Sequence, residues 1–208
     1  SYDDYIETNI LLPLEMTHTT ARQPVPAVFN ADMSKIYRFA DGEYKAQPDF
    51  NVIANVAPAG AFRSTASDVA RFMIAHLNNG TYDDISILQP ATAQLMHSQS
   101  FTHDPHVNGM AHGFWELDMN DQQIIGHAGS HFIGNSIMLL FPELELGVFV
   151  ATNSLGGTEF LGDNFTVFEE DFVDHFFPQE LPPLTAPADF DQQADRFSWS
   201  FDDGFHIN

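Results

Sequence analysis

The residues with the clearest chemical potential lie in one short run, Ile125-Gly126-His127-Ala128-Gly129-Ser130. Polar groups at the end of an otherwise apolar strand are costly unless they are used. Two glycines in such a strand allow another backbone or a ligand to come close. A bland reading of His127 is that it satisfies backbone groups at the strand end; the chemical reading makes it part of a site.

Other groups carry less. His103, His106 and His112, with His97 nearby, suggest a metal site by type. Their loop setting among Asp104, Asn108 and Gly109 shows no ligand spacing, which favours incidental surface histidines. Gly60 and Gly156-Gly157 lack phosphate-binding spacing. Glu169-Glu170-Asp171 reads as the solvated face of a helix rather than an acid–base pair. Trp115 reads as a core or cleft-wall residue rather than a stacking platform.

The elements that must position the His127 run follow from periodicity. Ser136 to Phe141 and Leu146 to Ala151 are β-rich runs joined through Pro142-Glu143. With the runs before and after Asn120-Asp121, they predict an antiparallel meander of about four strands. Its last two strands are almost wholly apolar, as when both faces are covered. A helix is predicted from a Ser64 or Thr65 cap, with Asp68 in its first turn and Val69, Met73 and Leu77 on one face, ending at Asn79-Gly80. A shorter helix begins at Pro90. Asp41-Gly42 between two strand-like runs predicts a hairpin. Thr158 is read as the cap of a long helix with Leu161, Phe165, Phe168, Phe172 and Phe176 on its buried stripe, ended by Pro178.

At the N-terminus, Tyr2, Tyr5, Ile6, Ile10 and Leu11 recur at near-helical spacing up to Pro13, with no cap before them. That pattern reads as a helix already under way at Ser1, and so as a fragment. Residues 1–178 are expected to form one α+β unit: an antiparallel β-meander packed with a long C-terminal helix, plus part of a helical subdomain. Residues 179–208 read as a Pro-rich linker and incomplete tail.

Composition narrows the function classes. The 208 residues carry 29 acidic side chains against seven Lys and Arg, a formal charge of −22, so nucleic acid is an unsuitable partner. The acids are spread along the chain, which suits a surface adapted to salt better than a cation-binding tract. There is no cysteine, hence no disulfide, thiolate metal site or cysteine nucleophile. No apolar run is long enough to span a bilayer as a helix.

Three blocks carry a family resemblance. Tyr5-Ile6 through Pro13-Leu14-Glu15-Met16-Thr17 is similar to a "Y-I-x-x-x-I-x-x-P-L-G-M-x-x-T" pattern, with Glu15 where glycine is usual. Pro58-Ala59-Gly60-Ala61-Phe62-Arg63-Ser64-Thr65-Ala66-Ser67-Asp68 is similar to "P-A-G-G-L-x-S-T-A-x-D". Gly126-His127-Ala128-Gly129, followed by Leu146-Gly147-Val148 and Thr152-Asn153-Ser154, is similar to "G-H-x-G… G-V-V-x-x-T-N". In this order the blocks resemble the serine beta-lactamases, penicillin-binding proteins and related esterases (class C beta-lactamase-related), over residues 1–177.

The resemblance implies an acyl-serine mechanism on a beta-lactam, a D-amino-acid peptide or an ester, without cofactor or metal. His127 would help hold the substrate and shape the electrostatics near the base. Gly129 would keep the strand edge open to the acyl group, and the Ser130 backbone N–H would donate to the oxyanion. Ala128 stands at a substrate-binding position where many relatives carry a hydroxyl that bonds a carboxylate, which favours ester or D-amino-acid peptide hydrolysis over penicillin turnover. The family's nucleophile and base come from Ser-x-x-Lys and Tyr-x-Asn, and neither is present: Lys35 and Lys45 follow Asp32 and Gly42 at that spacing. The expectation is therefore a C-terminal portion of a serine hydrolase, inactive alone. Its partners would be a small-molecule or peptide substrate and the missing N-terminal half of its own domain. The resemblance also implies a periplasmic or extracellular location. The rival reading is a non-catalytic binding module for cell-wall peptides or a protein partner.

Overall fold

A computed structural model describes residues 1–48, 54–131, 134–154, 166–179, 199–200 and 206–207. The chain divides into two compact units, Ser1–Pro178 and Gln179–Asn208. Helix α1 spans Tyr2–Ile6 and runs into a π-helical turn, Glu7–Leu11. Here the sequence reading is corrected: Ser1 is a cap, its hydroxyl accepting the Asp4 N–H at 3.2 Å. Tyr2 and Tyr5 are exposed, and the buried side chains of this segment are Leu11, Leu14 and Met16. Arg22 fastens the segment, donating from Nε to Glu7 at 2.5 Å and from a terminal nitrogen to Asp4 at 2.6 Å.

The predicted hairpin is present as β1 (Tyr37–Ala40) and β2 (Glu43–Ala46). Asp41 and Gly42 take φ of 56° and 81°, the pair of left-handed positions a two-residue turn of this hand requires. Helix α2 (Ala66–Leu77) starts at Thr65, whose hydroxyl accepts the Asp68 N–H at 3.3 Å. The helix closes with Gly80 N–H on the Ala75 carbonyl at 2.7 Å and Asn79 N–H on that of His76 at 3.2 Å. A small hairpin, β3 (Thr81–Tyr82) with β4 (Ile85–Ser86), and helix α3 (Pro90–His97) follow.

The central sheet is antiparallel in the order β5-β6-β7-β8, with β5 at Trp115–Glu116, β6 at Ile125–His131, β7 at Gly134–Phe141 and β8 at Leu146–Thr152. Helix α4 spans Thr166–Phe176. The alternation along β7 explains why it reads as continuously apolar. Ile137, Leu139 and Phe141 pack with Ile124 and with Val173 of α4. Leu140 and Met138 pack instead with Met73 and Val69 of α2 and with Phe114. Each fully buried side chain of this size stabilises by about 1.5–3 kcal/mol, so the helix–sheet–helix layering holds the unit together. The α+β class is that expected from the sequence. No described helix is long and apolar enough to cross a membrane. In the second unit, β9 (Trp199–Ser200) pairs antiparallel with β10 (His206–Ile207).

Helix α4 corrects two readings. Phe176 is 60% exposed, whereas Glu169, assigned to the solvated face, is 5% exposed. The buried side centres on Val173, with Phe168, Phe172 and Phe177 packed against the same cluster. Glu169 lies one turn before Val173, so the face that buries Val173 draws it inward. Burial, with Glu170 beside it, raises the Glu169 carboxyl above its ordinary value. Thr158, Leu161 and Phe165 lie outside the described residues.

Two buried polar knots brace α2. Asp68 accepts from the Thr19 hydroxyl at 2.7 Å and from the His18 N–H at 2.8 Å, tying the chain just after Pro13 to the helix start. At the other end, His76 Nδ1 lies 3.0 Å from His97 Nε2 of α3, with Phe72 and Phe114 packed on the His76 ring. Burial, and secondarily the His97 charge, push His76 down to about 4; burial lowers His97 as well.

Asp68→Ala should cost about 2–4 kcal/mol in urea unfolding, because it leaves a buried hydroxyl and an N–H without their acceptor. Asp68→Asn, which keeps one acceptor, should cost less. Stability should also fall with acid in a defined window. Below pH 6.5 the unfolded chain protonates both histidines while the folded chain resists, until about pH 4 for His76. The unfolding free energy should therefore drop by up to about 1.4 kcal/mol per pH unit from His76, with a smaller contribution of the same sign from the half-exposed His97. Urea titrations from pH 7 to 4.5 on the wild type and on His76→Phe test this; the variant should show the shallower slope.

Candidate functional site

The site is built from the open edge of β6. Residues pair across the sheet in the rows His127–Met138–Phe149 and Gly129–Ser136–Ala151. These rows, with Val69 and Phe72 of α2, line a cleft of about 960 Å³ that also takes in His18, Thr19 and Ser64. His127, Gly129 and Ser130 are exposed and Ala128 is half-buried, and all four line this cleft. The structure thus brings together the four residues singled out from the sequence.

Backbone alternation decides what the edge can offer. The Ile124 carbonyl accepts the Leu117 N–H at 2.9 Å on the β5 side. In an antiparallel ladder alternate residues turn their polar groups to the same neighbour, so Gly126, Ala128 and Ser130 also present theirs away from β7. Strand β5, however, pairs only with Ile125 and Gly126. Beyond that point the N–H and C=O groups of Ala128 and Ser130 lie on an edge that no described strand covers. Such an edge can donate to an oxyanion or pair with an extended substrate.

The two glycines of the motif differ. A Cβ on Gly126 would lie 2.7 Å from the Met138 carbonyl oxygen and 3.0 Å from a Leu139 methyl, so packing alone demands glycine there. At Gly129 the only near atom among the described residues would be the Ser136 hydroxyl oxygen at 3.1 Å, the movable end of a side chain. Among the described residues, a small shift of the Ser136 hydroxyl would make room for a Cβ at 129.

Trp115, expected as a core or cleft-wall residue rather than a stacking platform, is half-buried and does not line the cleft. Its indole stacks on the His127 imidazole, with centroids 5.1 Å apart and planes 24° apart. Periodicity carried no signal for this, because the two residues are neighbours only across the β5–β6 pairing. Of the other candidate histidines, His97 pairs with His76, and the remaining three are dispersed. His106 Nδ1 is 2.8 Å from an Asp104 oxygen, His103 sits edge-on to Phe101, and His112 borders the cleft. Among the described residues, no three His, Asp or Glu side chains are grouped to hold a metal ion.

Glu15, the departure from the family's glycine, lies at φ 51°, a left-handed conformation that glycine adopts freely. Arg71 of α2 holds it, donating to the Glu15 carbonyl oxygen and lying 3.4 Å from its carboxylate.

Comparison with known proteins agrees with this architecture. The chain is 26% identical over 198 residues to penicillin-binding protein 4 of Amycolatopsis lactamdurans, covering 92% of this chain and 51% of that protein. In three dimensions it resembles the octameric penicillin-binding protein homologue from Pyrococcus abyssi, with a TM-score of 0.62 and 21% identity, over 85% of this chain and 42% of that one. The chain thus spans about half the length of either relative. A family model described as Beta-lactamase matches residues 1–171, and the chain belongs to that family.

Proposed function

We propose that this chain supplies the oxyanion side of an acyl-serine hydrolase acting on an ester, a D-amino-acid peptide or a beta-lactam. The observation that carries the reading is the uncovered edge at Ala128 and Ser130, opening on the cleft beside an exposed His127. In the reaction, a serine oxygen attacks the acyl carbon, and the carbonyl oxygen takes up the electron pair. The Ser130 N–H donates to that oxygen, Gly129 leaves room for the acyl group, and His127 helps hold the substrate. Collapse of the tetrahedral intermediate expels the leaving group, and water then attacks the acyl-serine. The 208 residues hold no Ser-x-x-Lys or Tyr-x-Asn. The serine, lysine and tyrosine therefore come from a segment outside them, and the chain alone does not turn over substrate. Family membership also supports action outside the cytoplasm, in the periplasm or beyond it.

The test begins with the native gene product. It should carry Ser-x-x-Lys and Tyr-x-Asn ahead of the Ser1 position, label covalently with a fluorescent penicillin or an alkyl phosphonate, and hydrolyse p-nitrophenyl esters. His127→Ala should then lower kcat/KM by about 10²-fold, within the range for one general acid–base or positioning group. Gly129→Ala should lower it while keeping the thermal midpoint, whereas Gly126→Ala should lower the midpoint. A native product that begins at Ser1 and takes neither label would sink the hydrolase reading and leave the binding module for cell-wall peptides or a protein partner.

A further inference from the structure

We propose that Trp115 is a positioning residue that fixes the plane of the His127 imidazole at the cleft edge; this rests on the reading of His127 above. The imidazole is exposed, and among the described residues no hydrogen bond or ion pair reaches its ring. Its one ring contact among them is the Trp115 indole, 5.1 Å away and 24° from parallel. The terminal torsion of histidine is broad, so an unsupported ring would sweep through many orientations. A stacked face removes most of them and leaves both ring nitrogens, which lie in the ring plane, uncommitted.

The backbone that carries the platform is pinned on both sides. Trp115 pairs with Gly126 and bridges to Met110. Before it, Phe114 is 3% exposed and locked in the cluster beneath α2. After it, the Glu116 carboxylate accepts the Gly109 N–H at 2.8 Å and the Gln99 amide at 2.6 Å. Trp115 does not line the cleft, whereas His127 does. The indole therefore backs the imidazole and acts on substrate through it. An aromatic pair of this kind biases orientation roughly 2- to 12-fold, the size of effect expected on turnover.

The test uses the native gene product with ring-labelled histidine, the His127 signal assigned by its loss in His127→Ala. Indole stacking shifts the His127 ring protons by its ring current. Trp115→Leu should abolish that shift and lower kcat roughly 2- to 12-fold with KM little changed. Trp115→Phe, which keeps a flat face, should restore part of both. An unchanged His127 signal in Trp115→Leu overturns the proposal, as does a loss of turnover that Phe does not rescue. Should Trp115→Leu fail to fold, Trp115→Phe and Trp115→Tyr carry the comparison through their different ring currents. If the native product hydrolyses nothing, the ring signal still reports on the stack, and the failure then belongs to the hydrolase reading alone.

Discussion

Everything at the site follows from the register of one strand. Because β6 meets β7 with Gly126 opposite Leu139 and His127 opposite Met138, its odd residues face the α2 side and its even ones are turned toward α4. The same register sends the Ala128 and Ser130 backbone groups to the edge where β5 has already ended. A slip of one residue would exchange every one of these assignments. It is prevented by packing, since Ile124 and Ile125 are both buried but in different clusters, and by the close approach at Gly126, which no other residue could make. The geometry of the edge is thus held in place by apolar side chains a few residues away.

Covering both sheet faces has a second consequence. Helix α2 must be fixed along its length, because its residues form one wall of the cleft while its underside packs on β7 and β8. Asp68 anchors its start to His18 and Thr19, which are themselves cleft residues. His76 anchors its end to α3 through a neutral imidazole pair. Arg71, between them, holds the left-handed turn at Glu15. Three polar contacts with distant stretches of chain place the wall, and each uses a group that would be expensive to bury alone.

Much of this was legible in the residues. The hairpin at Asp41-Gly42, the Thr65 cap, the Asn79-Gly80 stop and the four-stranded meander all rest on local signals, and local signals survive folding. A stripe through the phenylalanines of α4 misplaces Glu169 and Phe176, because Val173 outweighs Phe176 in choosing the buried side. The Ser1 cap carries no periodic signal, so spacing alone does not announce it. The His76–His97 contact and the Trp115–His127 stack join residues on separate elements, so no spacing rule could announce them. Within the site, His127 to Ser130 could be named from the sequence, but the open edge depends on β5 stopping early, which is a matter of pairing.

The fold also separates residues it needs from residues it merely carries. Gly126 and Asp68 are explained by packing and by buried bonds; deleting a ligand from the argument would leave both in place. His127, Gly129 and Ser130 are different. They are exposed, and among the described residues the one close neighbour of a Cβ at Gly129 would be the movable Ser136 hydroxyl. An apolar strand that ends in exposed polar groups on an uncovered edge breaks local consistency without a structural return, and such breaks concentrate where a protein meets its ligand. That contrast supports the role proposed for His127, Gly129 and Ser130 independently of their resemblance to a motif, because it would hold for this sheet even if no relative were known.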